Sequence, residues 1–133
     1  MAVLFVARSA KLARWASDVG FGKHIYKIGI SEDSKELASA GWAGETDWKI
    51  VRRDEVEGLS EDEAIERLAR REKAIDPKLY PKLKGSTGVF RVSPEHVENH
   101  IIVGRALAGD SDRIDLKLKP TDFAGYLVHN ALR

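Results

Sequence analysis

Three segments in the first half of the chain carry the hydrophobic pattern of β-strands. Residues 3–6 form a short apolar run, and residues 24–30 alternate so that every second side chain from Tyr26 to Ile30 is apolar. Residues 48–56 return to an extended, alternating pattern. Together these segments predict a small antiparallel sheet of three strands.

Apolar residues at helical spacing predict helices around this sheet. The predicted helices cover residues 9–18 and 31–38, run from Ser60 toward Ala74, and start at Pro94 and at Pro120 or Thr121. Ser60 followed by Glu63 is the signature of an N-terminal capping box. The helix from Pro94 is expected to bury Val97, Ile101 and Leu107. The last helix is expected to bury Phe123, Tyr126 and Leu127.

A length of 133 residues suits one hydrophobic core. We therefore expect a single α+β domain over residues 1–133, with residues 106–133 as a C-terminal extension packed on it. Residues 87–92 are predicted to form a short extended segment, and residues 114–118 alternate in the manner of an edge strand.

The composition excludes several classes of protein. The chain has no cysteine, which excludes disulfides and thiolate metal sites and suits a reducing cytoplasm. No apolar run approaches the ~20 residues of a membrane helix, so no membrane partner is expected. Arg8, Lys11 and Arg14 without a nearby acid would also suit an organellar transit segment, but the strand and helix pattern of the same residues is favoured.

The charge is unevenly distributed. The formal net charge is +1, which favours no particular partner. Residues 67–91, however, contain eight basic and two acidic side chains. Such a segment is either a solvated helix face and loop or a phosphate-binding surface.

The order of elements carries a family resemblance. Residues 3–5 read Val-Leu-Phe near the end of the first strand, and residues 27–29 read Lys-Ile-Gly in the second. Glu66 lies on the helix after the third strand, and residues 88–92 lead into another helix. Over residues 2–105 this order resembles the GIY-YIG nuclease superfamily, in the Lys-Ile-Gly form of phage-associated members. The resemblance implies a small three-stranded antiparallel sheet flanked by helices.

The chain departs from the family pattern at catalytic positions. Phe5 lacks the hydroxyl group of the family's first tyrosine, and Lys27 replaces the second. Where the family has an arginine, about two helical turns after the glycine, this chain has Leu37, with Lys35 as the nearest cation. Residues 9–22 resemble an insertion, and whether they bind a partner or complete the core stays open.

The resemblance implies that the chain binds nucleic acid, with DNA as the expected form, and cleaves it as a metal-dependent endonuclease. Glu66 would hold a Mg²⁺ or Mn²⁺ ion, and Lys27 would contact a phosphate or transfer a proton. The basic residues expected to contact nucleic acid are Lys35, Arg52, Arg53, Arg67, Arg70 and Arg71. Trp42 or Trp48 would stack on bases.

Plainer interpretations of the same residues stay open. Glu66 would be a solvent-facing or salt-bridged glutamate, and Lys27 would end a strand on its wet face. The alternative function is a catalytically inactive scaffold or protein-interaction module of phage or mobile-element origin. His96 and His100, one helical turn apart, have the spacing of a metal pair, but an exposed polar face is favoured.

Overall fold

The computed structural model describes residues 2–32, 38–107, 109 and 117–132. The chain is an α+β protein with a five-stranded antiparallel sheet. The strands are β1 (Ala2–Arg8), β2 (Ile25–Ile30), β3 (Lys49–Val56), β4 (Lys73–Ala74) and β5 (Val89–Arg91). The helices with described bounds are α1 (Ala10–Asp18), α2 (Glu61–Ala69), α3 (Pro94–Leu107) and α4 (Pro120–Ala131), and Pro81–Leu83 forms a 3₁₀ turn.

The sheet is larger than the sequence predicts. Its strand order is β3-β1-β2-β5-β4, so the three predicted strands lie side by side and two short strands extend the β2 edge. The expectation of three strands is therefore wrong. The helix expected to continue to Ala74 ends at Ala69 instead, and Lys73 and Ala74 pair with β5.

Two hydrophobic clusters lie on opposite faces of the sheet. Side chains of successive strand residues point to opposite faces of the sheet. The side chains of β2 are therefore divided between the two clusters. Tyr26 and Ile28 join α2, α3 and α4 in the first cluster. Ile25 joins α1 and residues 38–48 in the second cluster. Each face is thus covered by a different part of the chain.

Helix α1 belongs to the core of the second face. Its residues Leu12 and Ala16 are fully buried. Ser9 caps the helix by accepting a hydrogen bond from the Leu12 amide at 3.1 Å, and its hydroxyl donates to Asp47 at 2.5 Å. The segment that resembled an insertion therefore supplies one of the layers that cover the sheet.

The two C-terminal helices differ in burial. In α4, Phe123, Tyr126 and Leu127 are buried as predicted. In α3, Val97 is buried and Ile101 partly buried, but Leu107 is 85% exposed. The expected burial of Leu107 is wrong, because the apolar side chains of α3 become more exposed from Val97 to Leu107.

Two predicted elements lie largely outside the described residues. These are the helix over residues 31–38 and the edge strand over residues 114–118, and Lys35 and Leu37 fall there as well. Among the residues that the structure describes, no helix has the length and apolar character needed to cross a membrane.

Candidate functional site at the end of strand β2

A row of three residues crosses the sheet near the end of β2. Phe5 of β1 lies opposite Gly29 of β2 on one side and opposite Arg53 of β3 on the other. Because directly opposed residues share a face of the sheet, Phe5 and Arg53 lie on the face toward which a side chain at Gly29 would point. A Cβ atom at Gly29 would lie 2.6 Å from the Phe5 ring and 2.7 Å from Glu61 Oε1. Glycine is therefore required where these two groups meet.

Lys27 lies two residues before Gly29 on the same face, and it is buried. Its residue exposure is 5%, so the interpretation of a lysine on the wet face of the sheet is wrong. The Nζ atom donates a hydrogen bond to the Thr87 carbonyl at 2.5 Å and lies 5.2 Å from the centre of the Trp42 ring. The ammonium group is thus removed from bulk water but retains an acceptor and an aromatic face.

Gly88 allows the Thr87 carbonyl to approach Lys27. The Gly88 carbonyl accepts a hydrogen bond from the Ile28 amide at 2.8 Å. Its φ is +75°, and a Cβ atom there would lie 2.4 Å from the Ile28 oxygen. A residue with a side chain would push this loop away from β2.

Glu61 brings a carboxylate to the same place. It is the first residue of α2, which Ser60 caps by accepting a hydrogen bond from the Glu63 amide at 3.2 Å. Glu61 Oε1 accepts a hydrogen bond from the Ile30 amide at 3.1 Å. Burial lowers the pKa of Lys27, and the negative charge of Glu61 opposes part of that shift. Lys27 and Glu61 therefore interact electrostatically beside Gly29.

Aromatic rings form one wall of this site. Trp42 stacks on Phe5 with ring centroids 5.5 Å apart and meets Trp48 edge to face at 5.3 Å. Trp48 is buried and its indole N–H donates to the Trp42 carbonyl at 2.9 Å. Trp48 is thus committed to the core, whereas Trp42 is partly buried and borders the lysine.

Glu66, which the sequence suggested as the metal ligand, lies elsewhere on α2. Its side chain is 69% exposed and forms an ion pair with Arg70 at 3.1 Å. It follows Glu61 by five residues, which is more than one turn of the helix. The structure therefore brings Glu61, rather than Glu66, into contact with the Lys27 and Gly29 region.

The basic residues expected to contact nucleic acid are dispersed. Arg52 pairs with Asp54 at 2.7 Å, Arg67 donates to the Ala131 carbonyl at 3.0 Å, and Arg70 is held by Glu66. Arg53 is exposed on the Phe5 face, within the site described above. Arg71 lies two residues before β4, which forms the edge of the sheet opposite β3.

Glu61 is the main residue that sequence reasoning missed. The family resemblance placed the expected carboxylate at Glu66, in the middle of the same helix. No local pattern in the sequence distinguishes Glu61 from Glu66, because both lie on the same predicted helix. The contact of Lys27 with Thr87 spans sixty residues of chain and had no signal in the sequence.

The two histidines of α3 contact different side chains. His96 Nδ1 pairs with Glu72 at 2.5 Å, whereas the His100 ring lies near Tyr126 and His129. Within the described residues, no group of three or more His, Cys, Asp or Glu side chains is arranged to hold a metal ion. Comparisons of the chain with protein-family models, curated proteins and solved structures found no match.

Proposed function

We propose that this chain is a nucleic-acid-binding domain of the GIY-YIG type that cleaves phosphodiester bonds, in DNA and with Mg²⁺ or Mn²⁺, at the Gly29 site. One observation carries the proposal: a buried lysine and a carboxylate interact electrostatically beside Gly29, at the end of β2. The adjacency of β1, β2 and β3 supports the family resemblance. The cytoplasm, expected from the lack of cysteine, is the compartment of this proposal.

The chemistry follows from the charges around Gly29. Cleavage of a phosphodiester requires that negative charge be stabilised and that water lose a proton. Arg53 offers an exposed guanidinium group to the phosphate. Lys27, whose pKa is lowered by burial, is the candidate for proton transfer.

The divalent cation would be bound through few protein ligands. Glu61 supplies one carboxylate, and Mg²⁺ commonly keeps most of its waters when a protein offers one or two. The cation would supply charge stabilisation and a more acidic bound water. The sequence-based assignment of Glu66 as this ligand remains a competing form of the same proposal.

Cleavage of plasmid DNA tests the proposal. The full chain is incubated with supercoiled plasmid and Mg²⁺ or Mn²⁺, and in parallel with chelator. We expect metal-dependent nicking that Lys27→Met lowers by about a hundredfold or more, the usual range for loss of a proton-transfer group. Lys49→Met, which removes an exposed lysine from the sheet edge, should keep the wild-type rate.

The control separates catalysis from folding. Thermal melting of both variants shows whether Lys27→Met remains folded at the assay temperature. Nicking that survives chelation, or a folded Lys27→Met variant that cuts at the wild-type rate, would contradict the proposed site. Binding of DNA without any cleavage would leave an inactive binding module.

A protein partner is the second candidate function, and one observation favours it. Helix α3 exposes Ile102 by 49%, Val103 by 56% and Leu107 by 85%, and grouped exposed apolar side chains are typical of interaction surfaces. The salt dependence of binding distinguishes the two. DNA binding should weaken steeply between 50 and 200 mM salt, roughly the range over which phosphate contacts are lost, whereas an apolar interface should not.

A further inference from the structure

A cavity of about 520 Å³ opens at the other end of β2. It lies where β4, β5, the loop before β2 and the start of α3 meet. Three cationic side chains line it: Arg71, Lys73 and Arg91. Gly29 lies four strand residues from Ile25, which faces Arg91 across the sheet, so this cavity and the Gly29 site are roughly 13 Å apart along β2.

Two of these cations repel each other when no ligand is bound. Lys73 of β4 and Arg91 of β5 are direct cross-strand partners, and like charges in that position destabilise a sheet. Within the described residues neither forms an ion pair with a carboxylate. The Arg91 guanidinium lies over the Phe21 ring at 4.8 Å, which orients the guanidinium group. An anion between the two cations would relieve their repulsion.

The carboxylate next to Lys73 in the chain already accepts hydrogen bonds from other groups. Glu72 lies between Arg71 and Lys73 in the chain, and its side chain is 1% exposed. Its oxygens accept hydrogen bonds from the Ser93 amide at 2.6 Å, from His96 Nδ1 at 2.5 Å and from the Tyr126 hydroxyl at 3.1 Å. Burial first, and then the charge of Glu72, raise the pKa of Tyr126 to about 12, so its hydroxyl stays a donor. Both oxygens of Glu72 thus accept hydrogen bonds from groups other than these cations.

The same carboxylate orients His96 toward the cavity. A carboxylate that accepts three hydrogen bonds leaves Nδ1 as the donor of the pair. Nε2 lies across the ring from this hydrogen bond, and the His96 side chain, which lines the cavity, is 53% exposed. The cavity therefore combines an oriented imidazole with three cations.

We propose that this cavity binds the phosphate group of a small organic phosphate such as a nucleoside monophosphate. The phosphate lies between Lys73 and Arg91, with Arg71 at its rim, because a dianion matches two adjacent cations and the guanidinium fork. The volume falls in the range of small-molecule sites, roughly 300 to 1,000 Å³, and leaves room for the nucleoside. His96 Nε2 contacts a hydroxyl group of the ligand. None of this depends on the cleavage chemistry proposed at Gly29.

Titration of the full chain with three probes tests the proposal. Adenosine 5′-monophosphate, adenosine and inorganic phosphate are added separately, and amide resonances are followed by NMR. We expect the monophosphate to shift the amides of Lys73, Arg91 and Ser93 and to bind more tightly than adenosine or inorganic phosphate. Lys73→Gln should weaken it about tenfold, the effect of losing one charge-assisted hydrogen bond.

Matched variants make the result decisive. Lys49→Gln makes the same charge change on the opposite edge strand and should leave the affinity unchanged. His96→Gln should weaken binding of the monophosphate but not that of inorganic phosphate. Lys73 is exposed on a two-residue strand, so its replacement leaves the fold intact. Equal affinity of the two lysine variants, equal affinity for adenosine and its monophosphate, or no shift with millimolar monophosphate would each overturn the proposal.

Discussion

At the scale of single residues, two glycines inside regular elements stand in opposite surroundings. Gly29 is enclosed by the Phe5 ring and Glu61, whereas nothing lies within 4 Å of a Cβ atom placed at Gly104 in α3. Glycine in a helix interior costs conformational entropy. No packing contact explains glycine at Gly104, whereas at Gly29 the missing side chain makes room for the Phe5 ring and the Glu61 carboxylate.

Alanine at these two positions should therefore have opposite effects. Gly29→Ala forces the Phe5 ring and the Glu61 carboxylate apart, and we expect a loss of about 1–3 kcal/mol in the free energy of unfolding, as for overpacked cores. Gly104→Ala should add about 0.5–1 kcal/mol. Urea unfolding of both variants measures this. A Gly29→Ala protein as stable as the wild type would show that Phe5 and Glu61 do not close on this residue.

His24 gives the protein a pH-dependent stability. Burial, and then the charge of Lys23, lower the pKa of His24, whose ring stacks on Phe123 at 4.6 Å. Because its pKa is lower in the folded protein, His24 binds a proton more readily in the unfolded chain. The stability that neutral His24 contributes to the folded state is therefore complete above the ordinary histidine pKa of about 6.5, and it is lost as the pH falls through the lower pKa of the folded state. We expect a lower free energy of unfolding at pH 5.5 than at pH 7.5, and a smaller difference in His24→Gln. An unchanged difference in the variant would assign the effect to other groups.

At the scale of elements, the sequence predicts those whose periodicity is long enough to read. The alternation of β2 and the apolar stripe of α4 each repeat over several residues, and Ser60 marks the start of α2; all three elements form. Strand β4 has two residues, too few for any period. It forms because the chain leaves α2 and turns Glu72 inward to the Ser93 amide and His96, contacts between segments that no local pattern contains.

Removal of α4 tests whether it is an extension or part of the core. Phe123, Leu127 and Val128 are each 3% exposed or less, and burial of such side chains contributes roughly 1.5–3 kcal/mol apiece, comparable together with the stability of a small domain. A chain ending at Lys119 should therefore lose its cooperative thermal transition, measured by circular dichroism. A chain ending at Ala131 should keep it. A cooperative transition in the shorter chain would make α4 a peripheral addition.

At the scale of the whole molecule, the site arises where distant segments meet. Lys27 and Gly29 come from β2, Glu61 from the start of α2, and Trp42 and Thr87 from two loops. The α+β class and the position of Lys27 on the strand could be predicted from alternation. The burial of Lys27 could not, because Trp42 and the Thr87 carbonyl are far from it in sequence. Neither could the choice of Glu61 over Glu66, since both lie on one predicted helix.

The comparison of Glu61→Gln with Glu66→Gln tests the central claim most directly. Metal-dependent nicking of plasmid DNA is measured for both variants, with thermal melting as the check on folding. We predict that Glu61→Gln lowers the rate by about a hundredfold or more, as expected for loss of a cation-binding carboxylate, while Glu66→Gln, which removes an exposed ion pair, cuts at the wild-type rate. Loss of cleavage in Glu66→Gln with full activity in Glu61→Gln would contradict the site beside Gly29.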